Sequence, residues 1–286
     1  MAPIVVNSID SADVDSADVD SADVESADVE SADVESADVE SVDVESVDVD
    51  SVDVESVEAN VGGVDGCPGG WILASAGEPV ELFRSFGALL KAHPAKTLLV
   101  DIPMGLPDKF ARDLEPQARA LLPGRSGSLF PVPCRQAVYA SSYEDACKTN
   151  SQHLGKKLSK QTWNICSKIR EVDELLCSDA SLQARVYESH PELAFYLLSA
   201  DGPHHSKKTR EGIAERLNTL ATYYPPVHEY YDLALREYPR KLVARDDVLD
   251  AMILMVLAGA DKTMLVDSNG KDEQGLKIRM TLPKTR

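Results

Sequence analysis

The sequence predicts an α/β domain carried behind a long acidic arm. Residues 1–60 contain no Lys or Arg, whereas the rest of the chain has an ordinary mixed composition. From residue 61 onward, short apolar runs of strand length alternate with longer stretches of helical spacing. The clearest strands each run into one carboxylate, and a Gly/Pro turn follows that leaves the acid open.

The arm comes first. Residues 11–55 are nine tandem pentapeptides, Ser-Ala-Asp-Val-Asp/Glu drifting to Ser-Val-Asp-Val-Glu. Like charges, one small aliphatic pair per unit and no aromatic oppose compaction, so residues 1–60 are predicted to be disordered. The unit is also similar to the Ala-Asp-Leu-x-x repeat of pentapeptide β-helices. Val replaces the usual central Leu or Phe, however, and nine units would form little more than two coils with like charges stacked. A charged arm of about 50 residues reaches roughly 40 Å. It is long enough to lie in a basic cleft or to hold a basic protein partner.

The arm also explains the net charge of −19. It holds twenty of the 48 acidic residues, leaving 28 acids against 29 bases in residues 61–286. That domain is near neutral, so a polyanionic substrate is neither excluded nor demanded. Cys67, Cys134, Cys147, Cys166 and Cys177 are odd in number and form no C-x-x-C pair, which predicts free thiols in a reducing compartment and no zinc. The N-terminus lacks a basic and apolar leader, and the longest apolar run, residues 251–260, is too short for a membrane span. The expectation is an intracellular, cytoplasmic protein, with the nucleus as the alternative, and no membrane.

Strands are predicted over residues 61–64, 71–76 and 80–86 as a meander, with a short helix over 88–93. Residues 97–100 carry Leu-Leu-Val, the pattern of a strand buried on both faces, and end in Asp101. Residues 108–185 read as a largely helical insertion. Within it, 115–122 is a helix with Pro116 in its first turn. Residues 124–135 form a loop bearing Arg125 and Arg135. Residues 159–177 form an amphipathic helix with Ile165, Ile169, Val172 and Leu176 on one face. A strand over 185–187 ends in Glu188. A helix follows over 192–198, and Lys207-Lys208-Thr-Arg210 leads into another. Residues 245–260 form a strongly apolar helix opened by Asp246, Asp247 and Asp250. The last strand, 277–282, is expected at a sheet edge.

Asp65, Asp101 and Glu188 thus follow strands, and Asp247 and Asp250, three apart, share a helix face. Each acid has a plainer explanation as a turn former or helix cap. Together they form a cluster whose repulsion bound cations would relieve. Oxygen ligands of this kind suit Mg²⁺ or Mn²⁺. Arg125, Arg135, Lys160 and Lys208 are candidates to hold phosphates, and Lys207 and Arg210, at the same helix start as Lys208, could bind backbone phosphate or form an exposed charged turn. His190 is a candidate to move a proton or touch phosphate, although a His-Pro pair after a strand is commonly a packed loop.

These residues also carry a resemblance. Gly-Val-Asp-Gly-Cys-Pro-Gly-Gly-Trp, Val-Asp-Ile-Pro-Met-Gly-Leu-Pro, Gly-Arg-Ser-Gly-Ser-Leu-Phe-Pro-Val-Pro, Leu-Ser-Lys-Gln-Thr-Trp, Glu-Ser-His-Pro-Glu and Asp-Asp-Val-Leu-Asp-Ala lie in order within residues 61–260. The set resembles the DUF429 family, predicted nucleases of the ribonuclease H-like superfamily. The resemblance implies a mixed five-stranded sheet with helices on both faces. It also implies Asp65 as the first-strand acid, Asp101 as the fourth-strand acid, and Asp247 and Asp250 as counterparts of the final-helix pair of RuvC-type resolvases. The arm has no counterpart in that pattern. The expected activity is metal-dependent hydrolysis of nucleic-acid phosphodiesters by Asp65, Asp101, Glu188, Asp247 and Asp250. The alternatives are a non-catalytic adaptor that binds basic partners through the arm, and a nucleotide phosphoryl-transfer enzyme. For the latter, residues 61–286 are few, and the glycines at 62, 63, 66, 69 and 70 match no phosphate-loop motif.

Overall fold

The computed structural model describes residues 60–94, 96–124, 127, 129–199 and 202–284, all within one unit, Ser51–Arg286. The repeat arm, with its expected disorder, and Arg125 lie outside the described residues.

The folded chain opens with β1 (Val61–Cys67), β2 (Gly70–Ala74) and β3 (Glu81–Phe83), an antiparallel meander. The third strand is shorter than expected because Ser85 accepts a hydrogen bond from the Ala88 N–H. This cap turns Phe86 into the first residue of α1 (Phe86–Ala92). β4 (Thr97–Val100) lies parallel to β1. Between it and β5 (Val186–Ser189) come α2 (Leu114–Ala120), α3 (Arg135–Val138), α4 (Tyr143–Leu154), α5 (Lys160–Ser178) and a 3₁₀ turn (Ala180–Ala184). Then follow α6 (Pro191–Leu198), α7 (Arg210–Tyr223), α8 (Val227–Glu237), α9 (Arg245–Gly259), β6 (Lys262–Lys271) and β7 (Lys277–Pro283).

The described strands form one mixed sheet of seven, in the order β3-β2-β1-β4-β5-β7-β6. This corrects the expected five. It also moves β7 inward: β7 runs parallel to β5 and antiparallel to β6, which takes the edge. Helices cover both faces. On one face α1 and α5 bury Phe86, Leu89, Ile169 and Val172 against Val64, Trp71, Leu98 and Val100. On the other, α6 to α9 pack over Val61, Ile72 and Leu99. A smaller core joins α2 to β7 through Leu114, Ala118, Ile278 and Met280. Among the described residues no helix is long and apolar enough to cross a membrane.

The helix α9 governs the geometry. Every residue from Val248 through Ala258 is buried, as expected of a helix that is apolar all round. It lies against β1 at Gly63, where a Cβ would stand 2.0 Å from the Ala251 carbonyl oxygen and 2.2 Å from the Met255 nitrogen. Backbone on both sides leaves nothing flexible to yield. Gly63→Ala is therefore expected to lower stability by roughly 2–3 kcal/mol, read as a drop in the urea midpoint at unchanged m-value.

Candidate functional site

Strand periodicity decides which acids meet. Side chains alternate faces along a strand. In β1 and β4, Val64 and Val100 are partners in register and face the α1/α5 side. The next residues, Asp65 and Asp101, therefore turn toward α9, and the Asp101 N–H donates to the Val64 carbonyl at 3.0 Å. Helix α9 presents Asp247 and Asp250 from its first two turns to the same place. Asp65, Asp101, Asp247 and Asp250 all line one open cleft of about 760 Å³, at the carboxyl ends of β1 and β4.

Glu188 does not join them. It pairs in register with Val100, one residue short of the level of Asp101, and so faces the opposite side. There Arg112 donates to both its oxygens, Nη2 to Oε1 at 2.6 Å and Nη1 to Oε2 at 3.0 Å, and the Met104 N–H donates to Oε2 at 2.8 Å. The residue of β5 level with the two aspartates is Ser189. A second glutamate, Glu192 on α6, lines the cleft instead and accepts from the fully buried Arg216 at 2.6 Å.

The cleft is electrostatically tense. Burial, followed by the charges of Asp101, Asp250 and Asp247, holds the Asp65 carboxyl well above the usual carboxylate range. Burial pushes Asp101 up to about 7, against the pull of Lys207 and with Glu188 and Glu192 adding to it. Burial likewise raises Asp247 and Asp250 to about 6. One oxygen of Asp65 accepts from the Gly66 N–H at 2.7 Å, and one of Asp247 accepts from the Ala244 N–H at 2.8 Å, so Asp247 also caps α9. Asp250 is 1% exposed; Lys207 donates to its Oδ2, while its buried Oδ1 has no hydrogen-bond partner among the described residues. Lys207 also stands 3.9 Å from Asp246. Burial alone would lower the Lys207 ammonium, but Asp250, Asp65 and Asp101 together raise it above its usual value. Among the described residues, no three His, Cys, Asp or Glu side chains are grouped closely enough to hold one ion as they stand.

The expected phosphate holders divide. Lys208 and His190 line the cleft, and the His190 Nδ1 accepts from the Leu193 N–H at 3.3 Å as the cap of α6. Lys160 does not; its ammonium sits 3.7 Å over the Tyr143 ring, while its neighbour Gln161 reaches the cleft. Arg135 is drawn away by Asp173 and Asp272. Sequence reasoning missed Lys168, a cleft residue whose ammonium lies 4.7 Å from the Trp71 ring centroid. It also treated Lys207 as a phosphate binder and not as the partner of Asp250.

Fold and site together define a mixed α/β protein with an acid-rich cleft where parallel strands end. The chain belongs to the family described as "Protein of unknown function (DUF429)", whose model matches residues 63–267 and so spans every motif that carried the resemblance. No curated relative and no solved structure matches the chain.

Proposed function

We propose that the protein is a divalent-metal-dependent phosphodiesterase acting on nucleic acid, its β3-β2-β1-β4-β5 strands forming a ribonuclease H-like core. The observation that carries this reading is the convergence of four aspartates from β1, β4 and α9 on one open cleft, with the buried Asp250 Oδ1 unpartnered. An all-oxygen donor set fits Mg²⁺ or Mn²⁺. Asp65, Asp101 and Asp250, which stand too far apart in the ion-free arrangement, would close in to hold the ion, and Asp247 would support it. When bound, the ion supplies a polarised water and stabilises the leaving oxygen of the ester. Lys208 and Lys168 on the cleft walls would hold phosphate oxygens, and the His190 ring faces the same space. On this reading Glu188 anchors Arg112 and takes no part in the chemistry. An intracellular location, cytoplasmic or nuclear, belongs to the same proposal.

The test is a Mg²⁺/Mn²⁺ cleavage screen over single-stranded, hybrid and branched substrates. Asp65→Asn is expected to lose cleavage by about 100-fold or more, the scale of removing a group that acts in the transition state, with an unchanged circular-dichroism spectrum. Full activity in that variant would remove Asp65 from the mechanism.

A second reading has one observation in its favour. Lys207 already neutralises Asp250, as a non-catalytic domain would require. Absence of Mn²⁺ binding, together with capture of basic protein that depends on residues 1–60, would favour this adaptor.

A further inference from the structure

We infer that Lys207 is a displaceable internal counter-ion: it occupies the carboxylate that a divalent cation needs, and a polyanionic substrate draws it off, so that phosphate and cation bind cooperatively. This rests on the phosphodiesterase reading and adds its order of assembly.

Three features carry it. First, occupancy is exclusive. The Lys207 ammonium donates to Asp250 Oδ2 and stands 3.9 Å from Asp246 Oδ2. A dication on the same carboxylate would lie within a few Å of a fixed positive charge, with little water to screen the repulsion. Second, Lys207 is free to leave. It sits on the connection between α6 and α7, in neither helix, and its side chain is 32% exposed toward the cleft. Its flexible four-carbon stem can reorient without moving backbone. His204, Ser206 and Lys208 of the same connection also line the cleft, so this wall meets whatever enters. Third, departure creates demand. Asp250 is 1% exposed and one of its oxygens already lacks a partner. Moving the ammonium to an incoming phosphate oxygen would leave Asp65, Asp101 and Asp250 without their neutralising charge, and a buried unpaired charge is strongly disfavoured. A cation relieves it. Coupling of this kind is reciprocal: the factor by which phosphate tightens the cation is the factor by which the cation tightens phosphate.

The experiment measures Mn²⁺ affinity of the full chain calorimetrically, for the unaltered protein, Lys207→Met, Lys207→Arg and Asp65→Asn. Each is measured alone and with a cleavage-resistant phosphorothioate oligonucleotide, corrected for Mn²⁺ bound by the oligonucleotide itself. Lys207→Met is expected to tighten Mn²⁺ binding by about tenfold, within the usual span of coupling between sites, while Lys207→Arg, which keeps the charge, stays near the unaltered protein. The oligonucleotide should tighten Mn²⁺ binding by a similar factor in the unaltered protein and not in Lys207→Met. Equal or weaker Mn²⁺ binding by a folded Lys207→Met overturns the inference. The phosphodiesterase reading survives that result if Asp65→Asn still abolishes binding. Absence of Mn²⁺ binding in every sample overturns both. If Lys207→Met fails to fold, the unaltered protein decides alone: no tightening by the oligonucleotide means no displaceable counter-ion.

Discussion

Arg112→Met is expected to destabilise the protein by about 3–5 kcal/mol at pH 7, the loss that follows when one member of a buried ion pair is removed. The Arg112 side chain is fully buried and serves two carboxylates, Glu188 at 2.6 Å and Glu115 at 2.8 Å. It also donates to the carbonyls of Met104 and Gly105, at 3.0 and 3.3 Å. It thereby ties the loop after β4 to β5. Burial, against the pull of Arg112, already holds Glu115 up to about 7. Without the arginine both acids can survive in the fold only by taking up protons. The loss should therefore be smaller at pH 5 than at pH 8, and Arg112→Met with Glu188→Gln should recover part of it. Urea unfolding at the two pH values checks this. Cleavage retained by a folded Glu188→Gln would confirm that Glu188 is an anchor and not a reacting group.

The second large effect is ionic. Asp65, Asp101, Asp247 and Asp250 all titrate above their unfolded values in the ion-free protein. The native state therefore holds more protons than the unfolded chain between about pH 4 and 7. A raised carboxyl adds stability below its unfolded pKa and loses it as pH climbs through the folded one. Ion-free protein should accordingly weaken between pH 5 and 7.5, when most proteins are near their best. Acids held low, such as Asp108 through its hydrogen bond from Gln136 and Asp113, where burial is outweighed by its hydrogen bonds with Ser268 and Gln117 together, act below pH 4 and do not offset this. Mn²⁺ should reverse the decline by replacing protons with a dication. At a hundred times its Kd the gain is about 2.7 kcal/mol, visible in the melting temperature at pH 7.5 and nearly absent at pH 5. Asp250→Asn should abolish the gain. A Mn²⁺ shift that persists in Asp250→Asn would place the ion elsewhere.

The parts legible in the sequence are those where one local pattern decides. Leu98-Leu99-Val100 could only be an interior strand, and the apolar stretch after Asp250 could only be a buried helix. Ser159, which caps α5, marked where that helix begins. Helix α4 lacks such a pattern: it is mostly polar, with only Ala146, Cys147 and Asn150 buried. Helix α8 did carry a signal that went unread, Val227, Tyr231 and Ala234 at helical spacing on one face. Strand β6 is an edge in which only Leu265, Asp267 and Gly270 are buried or half-buried, so no alternation announces it. The convergence of Asp101, Asp247 and Asp250 was legible because each lies at a visible element boundary, and that of Asp65 because a Gly/Pro turn follows closely, although β1 runs past it to Cys67. Glu188 was misplaced because β5 runs on to Ser189, and one residue reverses a side chain's face. Arg135 and Lys207 were misjudged for another reason: their acidic partners lie 38 and 43 positions away, and no spacing rule reports such a pairing.

The seating of α9 against Gly63 also sets an order on synthesis. The cleft takes its first carboxylate from the opening strand of the folded part and its last from a helix almost two hundred positions later. During synthesis the early acid emerges long before its companion. A chain made only as far as β5 therefore carries no complete cluster, and the four aspartates can meet only once α9 has been added.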